Sequence, residues 1–342
     1  MAQLRGVNLG GWFVLEQWMR PFLFEGISGP DETVFSIENK KAAEVLHAHW
    51  DNFIKQDDII DLVRLGINSV RLPLPWWLLG EKPYIERLSV VDRVIGWLEK
   101  HRLPYLLDLH TAPGCQNGFD NGGITGVIDW PKSDKNIDLT IEKLVYMTER
   151  YGKNPHFLGI EVLNEPHSSI DLAIIQDFYI RSYKALRPLT SGLIVFHDAF
   201  RPNDPSWKPF FSENHFDNVA FDLHLYYCFA PHYAAYSLNE LVAAVLGETD
   251  ANIRSINEFV PVIIGEWSLG LDEKRFHDMD DFQNDTYLRA FANAQLASYE
   301  QVFGWFFWSY RIDRPSHRAW DFSRLVTDGI FPTSFHHKEK AK

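Results

Sequence analysis

A (β/α)8 barrel in a single domain is the fold the sequence predicts. Three observations carry that expectation. Short apolar runs recur eight times along the 342 residues, nearly every run ends in polar or charged residues, and amphipathic stretches with helical spacing separate most of them. Runs apolar throughout suit strands buried on both faces, as in a parallel sheet.

The first run is RGVNLGG (5–11). Before INSVRLPLP (67–75) lies FIKQDDIIDLVRLG, a helix expected over about 53–66 that stops at Gly66. A helix over about 89–102 leads to LPYLLDLH (103–110), one over 138–152 to FLGIEVLNEP (157–166), and one over 170–187 to GLIVFHD (192–198). NVAFDLHLYY (218–227), a helix over 237–256, VPVIIGEWS (260–268), a helix over 284–301 and VFGWFFWSY (302–310) complete the series. A doubly wound open sheet is the competing fold, but no glycine-rich phosphate loop follows the first run. No linker, close repeat or low-complexity stretch divides the chain, so one domain is expected over 1–342.

Hydrophobic residues at 46% and charged residues at 23% support a large packed core and argue against disorder. The aromatic content, 12 Trp, 13 Tyr and 25 Phe, exceeds what a core needs, and ring faces suit the C–H faces of sugars. A net charge of −13 argues against a nucleic-acid partner, which would require a basic stripe. No run approaches the length of a membrane span. The opening MAQLRGVNLGGW lacks the basic-then-apolar pattern of a secretion signal, so a cytoplasmic location is expected, with secretion the alternative if a leader has been removed. Two cysteines, Cys115 and Cys228, are expected to be free thiols. Oligomeric state has no signature here.

In a barrel of this kind the carboxyl ends of the strands face the active-site mouth. Polar residues gather there: Arg71 on the second run, Asp108 and His110 on the third, Asn164 and Glu165 on the fourth. His224 and Tyr226 follow on the sixth, Glu266 on the seventh and Trp308 on the eighth. One such residue is most simply a structural ion pair, but six strands of eight behaving alike are not. Glu165 in LNEP and Glu266 in IIGEWS each follow an apolar run, and the fourth and seventh strands face each other across a barrel. Paired carboxyls in such settings suit glycoside hydrolysis, one kept protonated and the other ionised.

VRLP, LNEP, HLY, GEWS and WFFWS, in this order, resemble glycoside hydrolase family 5, a group of (β/α)8 retaining enzymes. RGVNLGGWFVLEQW, the HW before the helix at 53–66, and DLHTAPGCQNGFDNGG resemble its exo-β-1,3-glucanase branch, and the likeness runs over roughly 5–332. The resemblance implies Glu165 as acid/base, Glu266 as nucleophile, and Asn164 on the sugar 2-hydroxyl. It implies Arg71 and Tyr226 as hydrogen-bond donors to Glu266, His224 beside the acid/base, and His110 and Trp308 lining the sugar pocket. Glu16, Asp120 and Asn121 would hold the outer hydroxyls, and Phe119 and Phe229 would clamp the next sugar. The implied activity is that of a retaining exo-β-glycosidase on β-1,3-glucan oligosaccharides or small β-glucosides.

The chain departs from the branch in WSYRIDRPSHRAWDF, where Tyr310 replaces a Trp and only Trp320 and Asp321 rejoin the pattern, so this loop leaves the substrate open. A diglycosidase or β-glucosidase for plant or lipid glycosides is one alternative; a carbohydrate-binding barrel without catalysis is another, disfavoured because both Glu165 and Glu266 are present. No cofactor or metal is expected: the 14 histidines, His47, His49, His110, His197 and His224 among them, form no helical His-Glu-His zinc pattern. No G-x-S-x-G elbow for serine hydrolysis occurs.

Overall fold

In the computed structural model, which describes residues 3–336, the strands close into one parallel barrel in sequence order. They are β1 (Leu4–Asn8), β2 (Ser69–Leu74), β3 (Tyr105–Leu109), β4 (Phe157–Glu161), β5 (Leu193–His197), β6 (Val219–Leu225), β7 (Val262–Trp267) and β8 (Gly304–Phe307). Each coincides with one of the eight apolar runs, β1 starting one residue ahead of its run at Leu4. The ends of the expected 1–342 domain lie outside the described residues.

Alternation along the strands explains how one barrel holds both a core and a polar site. Leu4, Leu106, Leu193, Val195, Ala220, Ile263 and Phe306, all strand residues, form a buried cluster of their own inside the barrel. Two residues further along the same faces stand Asp108, His197 and Asp222, and two beyond Asp108 and Asp222 stand His110 and His224. The inward positions thus change from apolar to ionisable on the way to the carboxyl ends. A register shift between Leu223 and His224 sets His224 opposite Glu266, the kind of local irregularity that re-aims side chains at barrel rims.

The helices sheathe the barrel. Ahead of β2 come α1 (Glu32–Glu38), α2 (Ala42–Asn52) and α3 (Gln56–Leu65). Next are α4 (Leu88–Lys100), α5 (Asp134–Tyr151), α6 (Leu172–Leu186) and α7 (Trp207–Asn214). The expected helix over 53–66 is α3, and Gly66 caps it at φ 84°, a left-handed conformation that suits glycine. Its apolar stripe buries Ile59 and Leu62. The short α1 and α7 had no helical signal long enough to stand out in the sequence, and α2 was not singled out there.

The expected helix over 237–256 is present as an unbroken helical run over 238–257 with a π turn inside it. After α8 (Pro231–Ala234) come α9 (Leu238–Ala244), a π-helical turn over Val245–Thr249, and α10 (Asp250–Asn257). A π turn inserts an extra residue and rotates the apolar face, so Leu241, Val245, Ile253 and Ile256 all still reach the core. The last helices are α11 (Asp281–Tyr299), longer than expected, and α12 (Phe322–Thr327). No helix among the described residues is long and apolar enough to cross a membrane.

Candidate active site

Arg71 organises the mouth. It sits on β2, wholly buried, and spends its donors on four different groups. Nε donates to Glu161 Oε2 at 2.8 Å, Nη1 to Asn8 Oδ1 at 3.0 Å and Glu266 Oε1 at 2.9 Å, and Nη2 to Asn164 Oδ1 at 2.8 Å. Asp108 Oδ2 lies 3.1 Å from Nη2. A guanidinium held among four carboxylates, Asp222 included, keeps its proton at any working pH. Removing one partner of such a network leaves an unpaired buried charge and costs about 3–5 kcal/mol.

Glu266 receives a second donor from the Tyr226 hydroxyl at 2.7 Å on Oε2. The strand end that carries it depends on Gly265, because a Cβ there would collide with the Asp222 carboxylate that accepts the Gly265 N–H at 2.6 Å. Glu165 is reached differently. It follows β4 by four residues and adopts φ 46°, a left-handed conformation just before Pro166. A non-glycine residue held there costs roughly 1–3 kcal/mol and is found most often at functional sites.

His224 joins the two carboxyls. Its Nδ1 lies 2.8 Å from Glu165 Oε1 and 3.5 Å from Glu266 Oε2, while Nε2 lies 3.5 Å from Asp222 Oδ2. One nitrogen touching both bounds the nearest gap between the carboxylate oxygens below the roughly 6.5 Å at which inverting pairs begin. Asn121 Nδ2 donates to Glu165 Oε2 at 2.9 Å.

Burial works against charge on His224, yet Glu266, Asp222 and Glu165 around it raise its basicity well above the usual histidine range. Burial pushes the Glu165 carboxyl up, but the hydrogen bond and charge of His224, helped by Asn121, bring it below the ordinary range. Glu266 stays raised, by burial and by the negative Glu165, against the pull of His224 and Arg71. Between these groups the proton therefore rests on His224. Moving that proton across the 2.8 Å bond to Glu165 makes an acid there and removes the repulsion that raises Glu266. Arg71 and Tyr226 then favour the ionised Glu266.

Several buried polar atoms lining this mouth have no partner among the described residues: Asn164 Nδ2, His110 Nε2 and Glu16 Oε1. Unsatisfied buried donors and acceptors are rare in native proteins and suit a hydroxyl-rich ligand. His110 Nδ1 bonds Asp108 Oδ2 at 2.6 Å, and its ring stacks on Trp308 at 5.5 Å. Glu16 accepts from Trp18 Nε1 at 2.8 Å. Burial and the neighbouring Asp120 hold the Glu16 carboxyl well above the usual range, so the two acids stand close together. Phe119 and Phe229 are exposed; Phe229 packs beside Tyr226 and Trp320, Phe119 beside His167.

The structure thus gathers Arg71, Asn121, Asn164, Glu165, His224, Tyr226 and Glu266 in one hydrogen-bonded cluster, with Glu16, Asp120, His110 and Trp308 beside it. Asn121, expected among the outer-hydroxyl contacts, has its amide committed to Glu165. Tyr310, which stands where the resembled branch has a Trp, packs into the main hydrophobic core. It is buried against α3, its hydroxyl donating to Asp58 Oδ1 at 2.7 Å, and Trp320 lines the mouth instead. Sequence reasoning passed over Asn8, Glu161 and Asp222, single polar residues inside apolar strands, which was their only signal.

Two clusters of metal-ligand type occur, Glu165 with His197 and His224, and Glu161 with Asp222 and His224. Neither donor set fits an ion. His197 Nδ1 accepts the Ala199 N–H at 2.9 Å, so Nε2 carries the ring proton and has no lone pair to give. The second cluster is already served by Arg71 and a protonated His224.

Residues 31–313 match the cellulase family, glycosyl hydrolase family 5. The chain belongs to that family. It is a glycoside hydrolase. It is 32% identical to a glucan 1,3-beta-glucosidase of Blumeria graminis, covering 96% of this chain and 87% of that one. Against the Schwanniomyces occidentalis protein of the same name it is also 32% identical, covering 99% and 89%. Among solved structures, the rutinosidase from Aspergillus niger superposes with a TM-score of 0.77 at 19% identity, over 96% of this enzyme and 98% of that chain, a likeness of fold.

Proposed function

We propose that the enzyme is an exo-acting, retaining β-glucosidase that removes glucose from β-1,3-glucan oligosaccharides or small β-glucosides by double displacement. The observation that carries this reading is the single His224 nitrogen touching both Glu165 and Glu266, which holds the pair below the spacing at which inverting enzymes admit a water and so supports retention. Glu165, given the His224 proton, protonates the glycosidic oxygen while Glu266 attacks the anomeric carbon. Glu165 then takes a proton from the incoming water, and the glycosyl–Glu266 ester is cleaved.

Asn164 Nδ2 serves the sugar 2-hydroxyl, where a bond that tightens in the transition state accelerates the step itself. Trp308 and His110 lie along the ring, and Glu16 with Asp120 closes one end, which favours attack at a chain terminus. Phe119 and Phe229 flank the aglycone side. The name shared by the fungal relatives supports the β-1,3 linkage.

Incubation with laminari-oligosaccharides, followed by NMR of the first product formed, tests the reading. Stepwise release of glucose as the β-anomer is expected. Release of α-glucose would refute retention, and mid-chain products would refute exo attack.

A further inference from the structure

Beside Glu16 lies a second cleft that the proposed reaction does not use. It encloses about 400 Å³ and is lined by Gln17, Trp18, Pro21, Asp120 and Arg314. Two of its walls are tied to the site already described. Trp18 donates to Glu16 Oε2 at 2.8 Å, and Asp120 precedes Asn121, which donates to Glu165. The cleft therefore adjoins the end of the pocket where the terminal sugar's outer hydroxyls would lie.

Arg314 sets this cleft apart. The β8 loop is rich in charge, and its other long cations are committed: Arg311 to Asp58, and Arg318 to Asp285 and Asp328. Asp313 is held by Arg20 at 2.6 Å. Arg314 has no carboxylate partner and no side-chain hydrogen bond among the described residues. Its backbone is nevertheless pinned, its own carbonyl accepting from Arg324 Nη1 at 3.4 Å and that of Pro315 from Nη2 at 3.0 Å, while the Asp313 N–H bonds Met19 O at 2.9 Å. A half-exposed guanidinium on a cleft wall, with its backbone pinned and no carboxylate partner, is free to take an anion in place of water. Asp120, on the same cleft, forms no ion pair with Arg314 among the described residues, and its Oδ1 accepts the Asn121 N–H at 3.0 Å.

We propose that this cleft is a subsite for an anionic substituent, a carboxylate or a phosphate, carried on the outer carbons of the terminal sugar, with Arg314 as its counter-ion. The inference rests on the proposed placement of that sugar between Glu165, Glu266 and Glu16. Arg314 forks onto two oxygens of the anion, Trp18 covers the sugar's apolar edge, and Gln17 is available to a remaining oxygen.

The test compares 4-nitrophenyl β-glucoside, its 6-phosphate and 4-nitrophenyl β-glucuronide on the parent enzyme, Arg314→Gln and Arg314→Lys. At least one anionic glycoside is expected to exceed the neutral one about tenfold in kcat/KM, as one charge-assisted bidentate contact allows. Preference for the phosphate or for the uronate identifies the source of the anion. Arg314→Gln should abolish that preference, and Arg314→Lys should keep part of it. Turnover of the neutral glucoside with no anion preference would overturn the inference and leave the catalytic reading standing, as would an equal loss on all three substrates in Arg314→Gln. Failure to turn over any of them would sink the catalytic reading. Calorimetry with methyl β-glucoside, its 6-phosphate and methyl β-glucuronide would then decide the subsite, and equal affinities would overturn it.

Discussion

Tyr226 and Arg71 do one job on Glu266: both donate to it, which favours its charged form and fixes its direction. A hydrogen bond to a charged group contributes about 1.5–3 kcal/mol. Tyr226→Phe is accordingly expected to lower kcat by roughly 10–100-fold with little change in KM, because the lost contact bears on the nucleophile and not on substrate binding. An unchanged kcat would remove Tyr226 from the nucleophile's support. At this scale the convergence of Glu165 and Glu266 was legible, since two Glu residues after apolar strands that face each other across a barrel are hard to explain as separate ion pairs. The layer beneath them was not. Glu161 and Asp222 also interrupt apolar strands, but nothing along one dimension shows that both converge on Arg71 and His224.

The strand ends owe their geometry to close backbone packing. Gly265 leaves room for Asp222 to cap the β7 backbone, and the neighbouring β6 register shift turns His224 toward Glu266. Gly265→Ala should therefore drive the two apart, lowering stability by about 1–3 kcal/mol as overpacked cores do, and should also depress kcat by displacing Glu266. Thermal unfolding beside kinetics checks this; a stable variant with full activity would contradict it. The eight strands were legible because burial on both faces makes them apolar throughout. The π turn inside the helix after β6 was not, because it preserves the apolar spacing on either side while shifting it between. Nor was the burial of Tyr310, whose partner Asp58 lies more than two hundred residues earlier.

For the molecule as a whole, the barrel holds ionisable groups where burial alone would forbid them, and the cost shows in how stability responds to pH. Burial pushes the Asp198 carboxyl up to about 7 from an ordinary 3.8. The folded chain keeps a proton that the unfolded chain releases, so this stabilisation is complete below about pH 4 and lost as pH rises through about 7. Asp198→Asn keeps the oxygen that accepts the Phe200 N–H but does not titrate. Its stability relative to the parent should grow across that window by up to roughly 1.4 kcal/mol per pH unit. A stability difference that does not vary with pH, followed by denaturant unfolding, would show that Asp198 is not the group concerned.

The division of labour between Glu165 and Glu266 is tested most directly by azide rescue. Each residue is changed to Gly, and the glycosyl azide formed from an activated aryl β-glucoside is examined by NMR. Glu266→Gly is expected to give the α-glycosyl azide, because azide enters from the face the nucleophile has vacated. Glu165→Gly is expected to give the β-azide, because azide then attacks the glycosyl–Glu266 ester. The opposite pairing would exchange the two roles, and full hydrolysis without azide in Glu266→Gly would remove that residue from the mechanism.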